Sequence, residues 1–236
     1  MDTDEDIANA LFDEIKGDIR YEEVWDIVRQ HPDVSMDQYR LLLQLHQKTG
    51  RLGLLLNNGF TVPELRDMII AGFIGTDFGT LVNRIQIALK NGTDRPGNPD
   101  GLTVQQIHDL AVNIANALNS DDPDKEFEGQ TALSVLSDLV HFQQLYRWTN
   151  GSPIVDVDVE TTDAIIEVTN DDGRKKGQVE TLLHETRVNP RKKPVIVFGP
   201  ELTRGAVKAV EWVDPDNIYY AKSWQQLKEW LLLLRD

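Results

Sequence analysis

Cysteine is absent from the 236-residue chain, which excludes disulfides, thiol nucleophiles and Cys-ligated zinc. Long apolar runs are absent as well. No stretch approaches the ~20 residues a helix needs to cross a bilayer, so no membrane span is expected. The opening MDTDEDIANALFDEI is acidic where a signal peptide would be basic. No export signal of that type is read, and the expected site of action is cytoplasmic. Phosphate-binding glycine loops of the GxGxxG or GxxxxGK[ST] kind do not occur. His184-Glu185 does not open an HExxH motif, because position 188 is valine. The turn Asn170 to Gly173 fails as a calcium loop, since Val168 and Val179 stand where acids are required.

Positive charge is also scarce. The net charge is −15, unusual for a protein that grips phosphates by charge alone. The balance is uneven. Residues 1–150 hold 12 Lys+Arg against 24 Asp+Glu, a net of −12, and residues 151–236 hold 12 against 15, a net of −3. The basic clusters Arg174-Lys175-Lys176 and Arg191-Lys192-Lys193 both fall in the second part, where they read either as solvated loop charge or as a phosphate-facing rim. An apolar content of 40% suffices for a folded core.

The first half reads as helix throughout. Ile7, Leu11 and Ile15 recur every four residues behind Asp4 or Asp6, Tyr21 to Gln30 makes a second helix, and Ser35 caps a third that ends at Gly50. Thr61 opens another at Pro63, Asp77 to Lys90 follows, and Thr103 to Ser120 carries one apolar stripe. Asn91 to Gly101 is the clearest loop, and Ser120 to Asp124 looks like a domain edge. Thr131 to Trp148 reads as one more helix.

The stretch Ile154 to Thr169, IVDVDVETTDAIIEVT, has a different period. Val155, Val157 and Val159 alternate with Asp156, Asp158 and Glu160, which predicts a strand with valines on one face and acids on the other. In a second strand Ile166 and Val168 point one way and Ile165, Glu167 and Thr169 the other. Aspartate disfavours strands, and two carboxylates facing each other repel unless a cation lies between them. Oxygen ligands of this kind suit Mg²⁺ or Mn²⁺. Lys175 to Arg187 then reads as a helix, Pro194 to Phe198 as a buried strand, Leu202 to Val213 as a helix, Asn217 to Ala221 as a strand, and Ser223 caps the last helix. The expected architecture is an α/β mixed sheet with flanking helices over 126–236, preceded by an acidic all-helical domain over 1–125.

Asp158, with DAIIEVT nine residues later at Glu167, resembles the PD-(D/E)XK, or restriction-endonuclease-like, nuclease superfamily, nearest to bacterial contact-dependent inhibition and polymorphic toxin nuclease domains. The resemblance covers the C-terminal part only. It implies that Asp158 and Glu167 hold Mg²⁺ or Mn²⁺, that Lys175 and Gln178 of the following helix share in catalysis, and that Thr169, Lys176 and Arg174 meet the substrate. It implies a nucleic acid partner, DNA or RNA, and for a toxin an immunity or other protein partner. It also implies a strand before the Asp-bearing one, which the sequence does not locate. Glu126 or Glu128 could supply the additional glutamate that some of these nucleases carry.

The chain departs from the motif at its lysine, where Thr169 stands. Three outcomes stay open: Lys175 or Lys176 reaches in from the helix, the enzyme is slow, or the site is inactive. Beside metal-dependent phosphodiester hydrolysis, the alternatives are a degenerate nuclease-like scaffold for binding or assembly and a helical adaptor.

Overall fold

The computed structural model describes residues 3–15, 19–31, 34–91, 101–169, 175–202, 208, 214 and 216–235. Arg174, the Asn170 to Gly173 turn, most of the Asn91 to Gly101 loop and most of the helix expected over Leu202 to Val213 lie outside these residues.

Helices fill the N-terminal half, and their ends follow local chemistry. They are α1 (Asp4–Ile15), α2 (Tyr21–Gln30), α3 (Met36–Thr49), α4 (Leu52–Asn57), α5 (Val62–Ile70), α6 (Gly75–Asn91) and α7 (Val104–Leu118). Thr3, rather than Asp4 or Asp6, caps α1, exchanging hydrogen bonds with Asp6. Ser35, Thr61 and Thr103 cap α3, α5 and α7 through reciprocal bonds with the residue three positions on. Gly50 ends α3 with φ 60°, a left-handed cap that glycine adopts without strain.

The C-terminal part comprises α8 (Pro123–Ser134), β1 (Leu139–Arg147), β2 (Pro153–Thr161), β3 (Ile165–Val168), α9 (Lys176–His184), β4 (Val195–Phe198), β5 (Ile218–Ala221) and α10 (Trp224–Leu233). The five strands form one mixed sheet in the order β1-β2-β3-β4-β5. The first three are antiparallel, and β3-β4-β5 are parallel.

Two expectations are corrected. Thr131 to Trp148 is not one helix: α8 stops at Ser134, and the chain continues as β1, the strand the sequence did not locate. Its apolar residues Leu139, Phe142 and Leu145 recur every three positions, which imitates a helix. Register shifts at Leu139/His141 and Tyr146/Arg147 scramble the period of two. Nor do the three valines of β2 share a face. Val155 and Val157 pack with Val179 and Leu182 of α9, whereas Val159 packs on the other side with Ile166, Val168 and Phe198. The ribbon turns between the pairs Phe142↔Val159 and Gln144↔Val157, where Gln143 takes φ 50° opposite Asp158.

One apolar core runs from α3 and the helices after it into the sheet, taking in Leu42, Leu81, Ile114, Leu139, Ile166 and Phe198. The division placed between 125 and 126 falls within α8. A smaller core joins α1, α2 and α3. Buried Arg84 of α6 ties the helical half to the sheet: its guanidinium donates to the carbonyls of Leu136 (2.7 Å), in the α8–β1 connection, and Leu139 (2.6 Å), the first residue of β1. Arg84→Met keeps the apolar stem and strands both carbonyls. Urea denaturation is expected to show a loss of about 2–4 kcal/mol.

Among the described residues, no helix is long and apolar enough to cross a membrane.

Candidate active site

The site forms where β2 and β3 part. The two strands are paired at Val159↔Ile166 and Glu160↔Ile165. On β3, the N–H groups of Ile165 and Thr169 turn to β4, donating to Pro194 O (3.0 Å) and Phe198 O (2.9 Å). Strand alternation therefore turns Val168 toward β2. There the Asp158 carboxylate, not a backbone carbonyl, takes the Val168 N–H at 2.8 Å.

Glu167 projects to the α9 side and is fully buried. Its carboxyl lies close enough to that of Asp158 for each to shift the ionisation of the other. Lys175, immediately before α9, bonds its ammonium to Glu167 Oε1. Gln178, in the first turn of the helix, donates its amide to Glu167 Oε2 (3.0 Å) and to the Asp156 carbonyl (3.2 Å). Asp158, Glu167, Lys175 and Gln178 thus meet in space, with the Lys175 ammonium on Glu167.

The remaining candidates divide. Thr169 is buried beside Glu167 on the strand. Lys176 is exposed and pairs with Glu180 at 3.8 Å, away from the carboxylates. Asp156 is exposed and meets Gln178 through its backbone carbonyl. Glu160 turns to Lys193 instead, with Nζ 2.7 Å from Oε1. Glu126 bonds Gln130 on the exposed side of α8. Glu128 is the acid of that helix nearer the cluster, fastened by the Gln143 amide at 2.7 Å. The spacing of Glu126 and Glu128 could not choose between them, because the misread β1 hid which side of α8 the sheet covers.

Electrostatics bind these groups together. Burial, and then the negative charge of Glu128, push the Asp158 carboxyl up from 3.8 to about 7, against the pull of Lys175 and the Val168 N–H. Burial and the neighbouring Asp158 raise Glu167 well above its ordinary value. Burial raises Glu128 too, with Asp156 adding to it and the Gln143 bond opposing. Burial alone would lower the Lys175 ammonium, but Glu167, Asp158 and Glu128 outweigh it and leave it raised. One cation faces three carboxyls.

This donor set fits a hard divalent ion. Buried carboxylates held this close favour protonation unless a further positive charge joins them. Among the described residues, no group of three or more His, Asp or Glu side chains is gathered to hold an ion. An ion here would rest on Asp158, Glu167, backbone oxygen and water, an ordinary arrangement for Mg²⁺, which keeps several of its waters.

Gly199, next after β4, lies against this edge. A Cβ there would run into the Thr169 carbonyl. Gly199→Ala is therefore expected to push β3 away at Thr169 and cost about 1–3 kcal/mol, read as a lowered Tm.

Protein-family models, curated proteins and solved structures were each compared with the chain, and none matches it.

Proposed function

We propose that the protein is a metal-dependent nuclease that hydrolyses phosphodiester bonds of DNA or RNA, with a restriction-endonuclease-like C-terminal fold of the kind used by toxin nucleases. The observation that supports this reading best is the meeting of Lys175 with Glu167 and Asp158 where two strands part. The sequence spacing anticipates the two acids there, and the ammonium arrives from a different element.

In this reading Asp158 and Glu167 hold the cation. When bound, the cation would polarise the scissile phosphate and lower the pKa of a water. Lys175 offsets charge growing on the phosphate and holds the attacking water in line. Gln178, tied to Glu167 and to the Asp156 carbonyl, fixes the carboxylate rotamer and the distance between β2 and α9. Glu128 reinforces the negative potential that draws the cation in.

Incubation of the purified protein with plasmid DNA and with tRNA, in Mg²⁺ or Mn²⁺, tests this directly. Cleavage that EDTA stops and Glu167→Ala abolishes is the expected result. Absence of cleavage on both polymers, with no Mn²⁺ binding by calorimetry, would leave a nuclease-like scaffold instead.

A further inference from the structure

Gln143 has a backbone at odds with its place. It lies in the middle of β1, yet its φ is 50°, a left-handed conformation that glycine takes freely and a residue with a Cβ takes under strain. Lys192, with φ 54°, shares that conformation but closes the turn that follows Asn189, outside any strand. Across the ribbon, Phe142 pairs with Val159 and Gln144 with Val157, so Gln143 stands opposite Asp158. Val157 and Val159 face different cores. Asp158, between them, is directed at neither and reaches along the sheet to the Val168 N–H. Strand irregularities beside a site re-aim side chains in this way.

The bend by itself calls for glycine. Gln143 is exposed, so packing does not require its side chain either. What glycine would lack is the amide, which donates to Glu128 Oε2 at 2.7 Å. Among the described residues, no other hydrogen bond reaches that carboxyl. Glu128 is half-buried on α8, and its charge acts on Asp158 more than that of any other group. A glutamate on a helix surface has several rotamers open to it, and the amide selects one of them.

We propose that Gln143 is a positioning residue: a strained strand backbone carries its amide to Glu128 and fixes that carboxylate beside the Asp158–Glu167 pair, where its charge helps to retain a cation. The role rests on the reading that Asp158 and Glu167 hold the ion. Released from the amide, Glu128 turns toward solvent, where water screens its charge and the pull on the ion weakens. The strain at Gln143 is then the cost of having a side chain where the backbone would accept none.

The test is calorimetric titration of Mn²⁺ into four proteins at one fixed pH: wild type, Gln143→Gly, Glu128→Gln and the double variant. Gln143→Gly keeps the left-handed backbone and loses the amide. It is expected to bind Mn²⁺ about threefold to tenfold more weakly, the equivalent of one ordinary hydrogen bond. In the Glu128→Gln background the same change should have no further effect, because Gln143 acts through Glu128. Gln143→Asn, which tolerates positive φ but is one methylene short of Glu128, should match Gln143→Gly and replaces it if the glycine variant does not fold. A merely structural Gln143 would weaken binding alike in both backgrounds, and that result overturns the proposal, as does unchanged affinity in Gln143→Gly. Wild-type protein that binds Mn²⁺ while Gln143→Gly binds it equally well sinks this role alone. Wild-type protein that binds no Mn²⁺ sinks the metal site along with it.

Discussion

Lys175→Ala is expected to lower metal-dependent cleavage by about 10²–10³, the usual loss when a cation aimed at developing charge is removed. Lys176→Ala, three atoms of backbone away in sequence but exposed and paired with Glu180, should leave the rate unchanged. Lys175 is half-buried and bonded to the fully buried Glu167 carboxyl, so its removal also leaves that carboxyl less compensated and lowers the stability of the metal-free protein. The rate is therefore compared in saturating Mn²⁺, under conditions where circular dichroism shows the variant folded. The decisive variant is the double change Thr169→Lys with Lys175→Ala. Thr169 follows Glu167 by two residues on an extended chain, which brings both side chains to one face. A lysine there approaches the same carboxylates from the strand, and recovery of a tenfold or greater part of the lost rate is expected. Full activity of Lys175→Ala would show that the ammonium has no part in the reaction.

Stability of the metal-free protein should fall as pH rises from 4 to 8. The sign follows from the direction of the shifts. Asp158 titrates at about 7 in the folded protein against 3.8 for its ordinary value, and Glu167 is raised as well. The folded state therefore binds more protons than the unfolded chain throughout this window. Such groups cost nothing below pH 4, where both states are protonated; above it the unfolded chain ionises while the folded carboxyls hold their protons, and stability declines until pH passes the folded pKa. For Asp158 alone, a shift from 3.8 to about 7 corresponds to on the order of 4 kcal/mol. Asp158→Asn removes that titration, so the decline between pH 5 and 8 should flatten in urea melts of the variant. Mn²⁺ competes with protons for the same oxygens. It should raise Tm more at pH 8 than at pH 5, and the difference should vanish in Asp158→Asn. A wild-type slope equal to that of the variant would mean that the pair is not coupled to folding.

Much of the site was legible in order but not in position. Asp158 and Glu167 could be named because acids alternating inside a β-branched run are unfavourable unless they serve something. Lys175 and Gln178 could be named through the family resemblance, but whether Lys175 or Lys176 reaches the carboxylates could not, since adjacent helix residues differ by about 100° in direction. Glu128 and Lys193 carried no local signal. Each matters through a partner 15 to 33 positions away, Gln143 for one and Glu160 for the other.

Local rules, those of capping, turn and period, determined by themselves the helices of the first half, β3, β4, β5 and the last helix, because each of these depends on neighbours within about four residues. The tertiary structure alone decided that 139–147 is a strand, that the valines of β2 divide between two cores, and that the ammonium on Glu167 is that of Lys175 and not of Lys176. Those outcomes depend on pairing and burial between distant segments. A helix-like spacing of apolar residues yields to a strand when a neighbouring strand offers its unpaired backbone groups and a covered face.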